Sequence, residues 1–120
     1  MPTTDRVLII EDEALLMLEI EDVLEGHGFT EIRHYRDVAE AGHHDEELAT
    51  FHLAIVEARL GAAEVVSFTE RLARAGVPTV VLSADRAAAE AFPHAAATVS
   101  KPFDAATLLA ACEAAMERVS

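Results

Sequence analysis

Lysine occurs once in this 120-residue chain, cysteine once and tryptophan not at all, and no apolar run approaches the ~20 residues that span a bilayer. The lone Cys112 can close no disulfide and anchor no Cys-based zinc site, which points to a reducing, cytoplasmic setting. The opening MPTTDRVLII runs straight into acidic residues and lacks a secretory signal pattern. Positive charge is scarce as well. Nine Lys and Arg stand against 22 Asp and Glu, and the formal net charge of -13 opposes nucleic-acid phosphates. Neither nucleic acid nor membrane is an expected partner, which leaves proteins and cations. The sequence also has no HExxH, no GxSxG elbow around a serine and no glycine-rich phosphate loop, so no independent enzymatic reaction is expected.

What the chain does have is a regular alternation of two kinds of segment. DRVLII (5–10), FHLAIVE (51–57) and VPTVVLS (77–83) are short apolar runs rich in β-branched residues, the pattern of strands buried on both faces. EIRHY (31–35) is more polar and suits a strand nearer the sheet edge, and AATVS (96–100) is a brief fifth strand. Between them lie helical stretches. The first carries Leu15, Leu16, Leu18, Ile20, Val23 and Leu24 at helical spacing and is stopped by Gly26 and Gly28. A weak helix over 36–50 has Gly42 inside it, and a third helix carries a stripe of Val65, Val66, Phe68, Leu72 and Ala73 and ends at Gly76. A short Ala-rich helix runs to Pro93, and a last helix comes after Lys101-Pro102 with Asp104 as its N-cap.

Five β-α units joined by short connections predict an α/β fold: a doubly wound, flavodoxin-like three-layer sandwich around a parallel sheet of order 2-1-3-4-5. Residues 1–120 are expected to form a single domain without an appended output domain. In such a sheet the functional crevice lies at the carboxyl ends of the strands, where strand order reverses. The residues there are Glu11 and Asp12, Glu57, Ser83, and Ser100-Lys101-Pro102. A carboxylate at a strand end has an ordinary use, since the next helix N-terminus favours negative charge. Three carboxylates in one crevice, however, repel and need compensation. Lys101 supplies one positive charge, and a weakly held magnesium ion could supply two more.

These motifs resemble the receiver domain of bacterial response regulators over essentially the whole chain. VLIIEDE is similar to the acidic pair after the first strand, LAIVEARLG to the phosphorylation-site strand and loop, VVLSAD to the hydroxyl site and VSKPF to the lysine-proline signature. The resemblance implies that Glu11 and Asp12 are the magnesium-binding pair, and that Glu57 occupies the acceptor position and, with the backbone carbonyl of Arg59, also reaches the metal. It further implies that Ser83 and Lys101 contact the phosphoryl group and that the Lys101-Pro102 bond is cis.

Two positions depart from that pattern. Where the family carries the aspartate that receives phosphate from a histidine kinase, this chain has Glu57. The extra methylene shifts the carboxylate by about 1.5 Å, and a misplacement of about 1 Å can cost on the order of 100-fold in rate. Glu57 is therefore expected to act as a structural filler beside Lys101 or as a partial mimic of the phosphorylated state. The second departure is Thr98, which stands where the family has a switching Tyr or Phe. The expected function is a stand-alone, atypical receiver that binds a signalling protein, either a histidine kinase or an output protein, with a homodimer as a further arrangement. The expected partner surface comprises Ala88, Phe92, Thr98, Leu109 and Ala115. Two alternatives stand beside this: a phosphorylation-competent, magnesium-dependent receiver, and a small-ligand module on a flavodoxin-like sheet. The run His43-His44-Asp45-Glu46-Glu47 is read as a solvated face, because neighbouring residues on a helix point apart.

Overall fold

Alternation along the strands divides the apolar residues between two cores, and a computed structural model covering residues 5–42, 44–58, 62–84 and 90–117 has that division. In chain order the elements are β1 (Arg6–Ile10), α1 (Ala14–Gly26), β2 (Glu31–Tyr35), α2 (Val38–Ala41), α3 (Asp45–Leu48), β3 (Leu53–Glu57), α4 (Ala62–Arg74), β4 (Thr79–Ser83), β5 (Ala97–Ser100) and α5 (Ala105–Glu117). All strand pairings are parallel and the order is β2-β1-β3-β4-β5. This is the doubly wound arrangement expected from the sequence.

Leu8, Ile10, Ala54, Val56 and Val81 point to one side, where they pack with Ala41, Leu48, Val65, Phe68 and Leu72 of α2, α3 and α4. Val7, Ile9, Leu53, Ile55, Val80, Leu82 and Val99 point to the other and meet Ile20, Leu24, Leu108, Cys112 and Ala115 of α1 and α5. A strand with both faces covered is apolar along most of its length, and β3 and β4, buried throughout, carry polar side chains only at their ends. β2, at the edge, is only partly buried, in line with its polar sequence.

The segment between β2 and β3 forms two four-residue helices where one weak helix was expected. Asp37 caps the first by accepting the Glu40 N–H at 2.7 Å. Gly42 then adopts a left-handed backbone (φ 49°), which ends α2 and separates it from α3. Gly76 (φ 80°) closes α4 in the same way, and the Val77 N–H returns to the Leu72 carbonyl. Asp104 caps α5 as expected, its carboxylate accepting the Thr107 N–H at 2.8 Å. Most of the expected Ala-rich fourth helix lies outside the described residues, as does His43.

Two helical stripes are narrower than the sequence suggested. In α1 only Ile20 and Leu24 are fully buried, while Leu15 and Leu18 are 75% and 54% exposed. Ala73 on α4 also faces solvent. The physical reason is geometric: a helix against a sheet buries about a third of its circumference, and six apolar residues within ten positions exceed that arc.

Phe68 is the bulkiest fully buried side chain and sits between α4 and the sheet. Phe68→Ala is expected to cost about 3–5 kcal/mol of stability, read as a lower urea midpoint at unchanged m-value.

Candidate functional site: an acidic crevice closed by Lys101

The same alternation that builds the cores brings three charged residues together. Glu11 continues the face of Val7 and Ile9, Glu57 ends the face of Leu53 and Ile55, and Lys101 comes after Val99 at the same parity. Because β1 and β3 are paired with Ile10 opposite Val56, the two glutamates emerge side by side at the carboxyl edge. Lys101 is brought up to them by its backbone N–H, which bonds the Ser83 carbonyl at 2.9 Å and extends the β4–β5 ladder by one step.

Glu11 is fully buried. Its Oε1 accepts from the Lys101 ammonium at 3.2 Å and its Oε2 from the Glu13 N–H at 3.1 Å, at the entry to α1. Glu57 is only 2% exposed, and its Oε2 forms an ion pair with the same ammonium. Lys101 thus bridges two buried carboxylates, with 16% of its own side chain exposed. Burial pushes the Glu11 carboxyl above the usual carboxylate range, against the pull of the Glu13 N–H and of Lys101. For Lys101 burial is the largest single influence and acts downward, but Glu57 and Glu11 together outweigh it and hold the ammonium above its ordinary value.

The other expected site residues are distributed unevenly. Ser83 is buried at the end of β4, beside this cluster, and the Lys101-Pro102 bond is cis. Asp12 is exposed, and Arg59 lies outside the described residues. A groove of about 360 Å³ lies beside the cluster, lined by Glu13, Leu16, Glu19, Ala84, Lys101, Pro102 and Phe103. The described residues do not fit the magnesium ion expected of the crevice. The ammonium already bridges Glu11 Oε1 and Glu57 Oε2, the oxygens that an ion held by two carboxylates and water would use.

The expected partner surface needs correction. Phe92 is 4% exposed and belongs to the core with Phe68 and Val81, because a side chain of that size has more to gain from the core than from solvent. Ala115 is buried against the sheet on the inner side of α5. Leu109 is half-buried, Thr98 is exposed on β5, and Ala88 lies outside the described residues. Among the described residues the large apolar side chains that are exposed, Leu15 and Leu18, are on α1 instead. Sequence reasoning missed them, although an excess of leucine over what one helix face can bury was a readable signal.

Removing the ammonium strands two buried carboxylates, so Lys101→Met should cost about 3–5 kcal/mol. Adding Glu57→Leu to it should restore only the part of that loss owed to Glu57, since Glu11 stays buried without its ammonium. A urea double-mutant cycle measures both. The raised Lys101 value gives the pH dependence its sign: the contribution is fully present below the unfolded lysine value and is lost in alkali as pH rises through the higher folded one.

No family model matches the chain. It is 33% identical to the transcriptional regulatory protein PdtaR of Mycobacterium tuberculosis, in an alignment covering 98% of this chain and 62% of that protein. The chain therefore spans somewhat under two thirds of the length of this curated relative. Among solved structures it is similar to the signal receiver domain of a modulated diguanylate cyclase from Desulfovibrio desulfuricans, with a TM-score of 0.81, 24% identity and coverage of 98% and 97% of the two chains. A response regulator receiver domain from Clostridium thermocellum gives a TM-score of 0.78 at 19% identity, covering 95% of each chain. A response regulator from Burkholderia pseudomallei, solved with a phosphorylated aspartic acid, a calcium ion and citrate, gives 0.73 at 21% identity over 96% of this chain and 70% of that one. The fold of this chain is that of the response-regulator receiver domains.

Proposed function

We propose that the chain is a receiver of two-component signalling that works by binding another signalling protein, a histidine kinase or an output protein, independently of aspartate phosphorylation. The observation that carries this reading is Glu57 itself, a buried carboxylate one methylene longer than aspartate and already engaged by Lys101. In this reading Glu57 stands at the acceptor position, Ser83 and Lys101 at the positions that contact a phosphoryl group, and Glu11, Asp12 and the Arg59 carbonyl at those of the family's metal site. The glutamate reaches the lysine that a phosphoryl oxygen would otherwise engage, so it fills the pocket and partly imitates its charged state. Thr98, small and exposed, offers no aromatic side chain to swing inward, so any output runs through helix packing and loop conformation.

A protein partner also agrees with the surface chemistry. The strong negative charge disfavours nucleic acid, and no described helix is long and apolar enough to cross a membrane. A cytoplasmic location is part of the same reading, as the signalling role requires it.

The test is beryllofluoride binding in the presence of magnesium, monitored by amide NMR in the parent and in Glu57→Asp. The parent is expected to show no saturable shifts around residues 57 and 83, whereas Glu57→Asp, with the shorter carboxylate withdrawn from Lys101, responds. Saturable shifts in the parent would sink the reading. Charge mimicry has its own measurement, the affinity for a purified cognate kinase or output protein. Glu57→Gln and Glu57→Ala are expected to bind at least about tenfold more weakly than the parent, or about 1.4 kcal/mol, and equal affinities would leave Glu57 as a filler only.

A further inference from the structure

Two carboxylates and one ammonium occupy the crevice, and their charges sum to one negative. In water such an excess would recruit a cation, and a divalent ion held by two carboxylates and several waters is a common solution. The carboxylate oxygens such an ion would need, Glu11 Oε1 and Glu57 Oε2, are however the ones that the Lys101 ammonium already engages. The ammonium is attached to a backbone that is itself fixed, through the Lys101 N–H on the Ser83 carbonyl. A tethered cation does not dilute away, and a divalent ion entering the bridge must expel it and shed part of its own hydration. Glu11 is committed further, since its second oxygen accepts the Glu13 N–H.

Access is not the obstacle, because Lys101 lines an open groove beside Leu16 and Phe103. Occupancy is. We propose that Lys101 is the resident cation of this crevice and that its ammonium, bridging Glu11 and Glu57, excludes divalent metal from the site. For its meaning in signalling this rests on the phosphorylation-independent reading above. Its test uses metal alone, so that the two can fail separately.

The probe is manganese(II), whose paramagnetism broadens amides near a bound ion, and then magnesium in thermal melts. In the parent, broadening is expected only at scattered acidic surface positions, with no saturable effect at residues 11–13 and 57–58. Because Lys101 is the only lysine, isotope-labelled lysine gives one side-chain signal, and magnesium should leave it unshifted. Lys101→Met is expected to bind manganese at these amides at least about tenfold more tightly than the parent, equivalent to about 1.4 kcal/mol, and to melt higher with magnesium.

If Lys101→Met is too unstable to fold without metal, recovery of its amide spectrum on adding magnesium supports the proposal equally. Saturable broadening around Glu11 and Glu57 in the parent overturns it. So does a folded Lys101→Met that gains no metal affinity, and so does a shift of the parent's lysine signal with magnesium. A parent that binds manganese there yet ignores beryllofluoride would overturn this inference and leave the proposed function standing.

Discussion

The parallel pairing of β1 with β3 is the constraint on which the rest depends. With Ile10 set opposite Val56, successive residues of both strands fall alternately on two buried faces, and a shift of one residue would exchange every side chain between them. The pairing also sits where the winding of the chain reverses, with α1 and α5 covering one face and α2 to α4 the other. A crevice at that reversal belongs to the fold. Which charges occupy it depends on the residue at the carboxyl end of each apolar run, and in both strands that residue is a glutamate, Glu11 just past β1 and Glu57 at the end of β3.

Charge inside the crevice is organised around its least common residue. A lysine ammonium is a compact point charge on a flexible stem, and here the stem starts from a backbone hydrogen-bonded to β4. Burial acts on the two sides of the bridge in opposite senses, raising Glu11 and lowering Lys101, and for the lysine the two facing carboxylates outweigh it. Burial of a salt bridge is weak evidence for stability, since desolvation offsets much of the attraction. What the bridge does supply is a fixed geometry at the strand ends, joining β1, β3 and the segment after β5 through one atom.

Much of the fold was legible because its signals are local and redundant. The apolar runs of β1, β3 and β4, the glycine that ends α4, and the Asp104 cap each report on a few neighbouring residues. The meeting of Glu11, Glu57 and Lys101 was legible only through strand order, since nothing in the local sequence relates residue 11 to residue 101. The width of the buried arc on each helix was signalled only indirectly, by more apolar residues than one face can bury. Phe92 and Ala115 were expected outside and are inside, while Leu15 and Leu18 were counted in the apolar stripe with Ile20 and Leu24 and lie on the far side of α1. Hydrophobic spacing counts candidates for burial, and packing against the sheet selects among them.

Those two leucines bear on how the protein behaves as a colloid. On α1 they are interleaved with Glu19, Asp22 and Glu25, all exposed, so an adhesive patch is embedded in a field that repels a second copy of itself. With -13 formal charges on the whole chain, that repulsion dominates at neutral pH and low salt. Acid or concentrated salt weakens the field without touching the leucines. Dispersal of the molecule is therefore a property of the solution as much as of its surface.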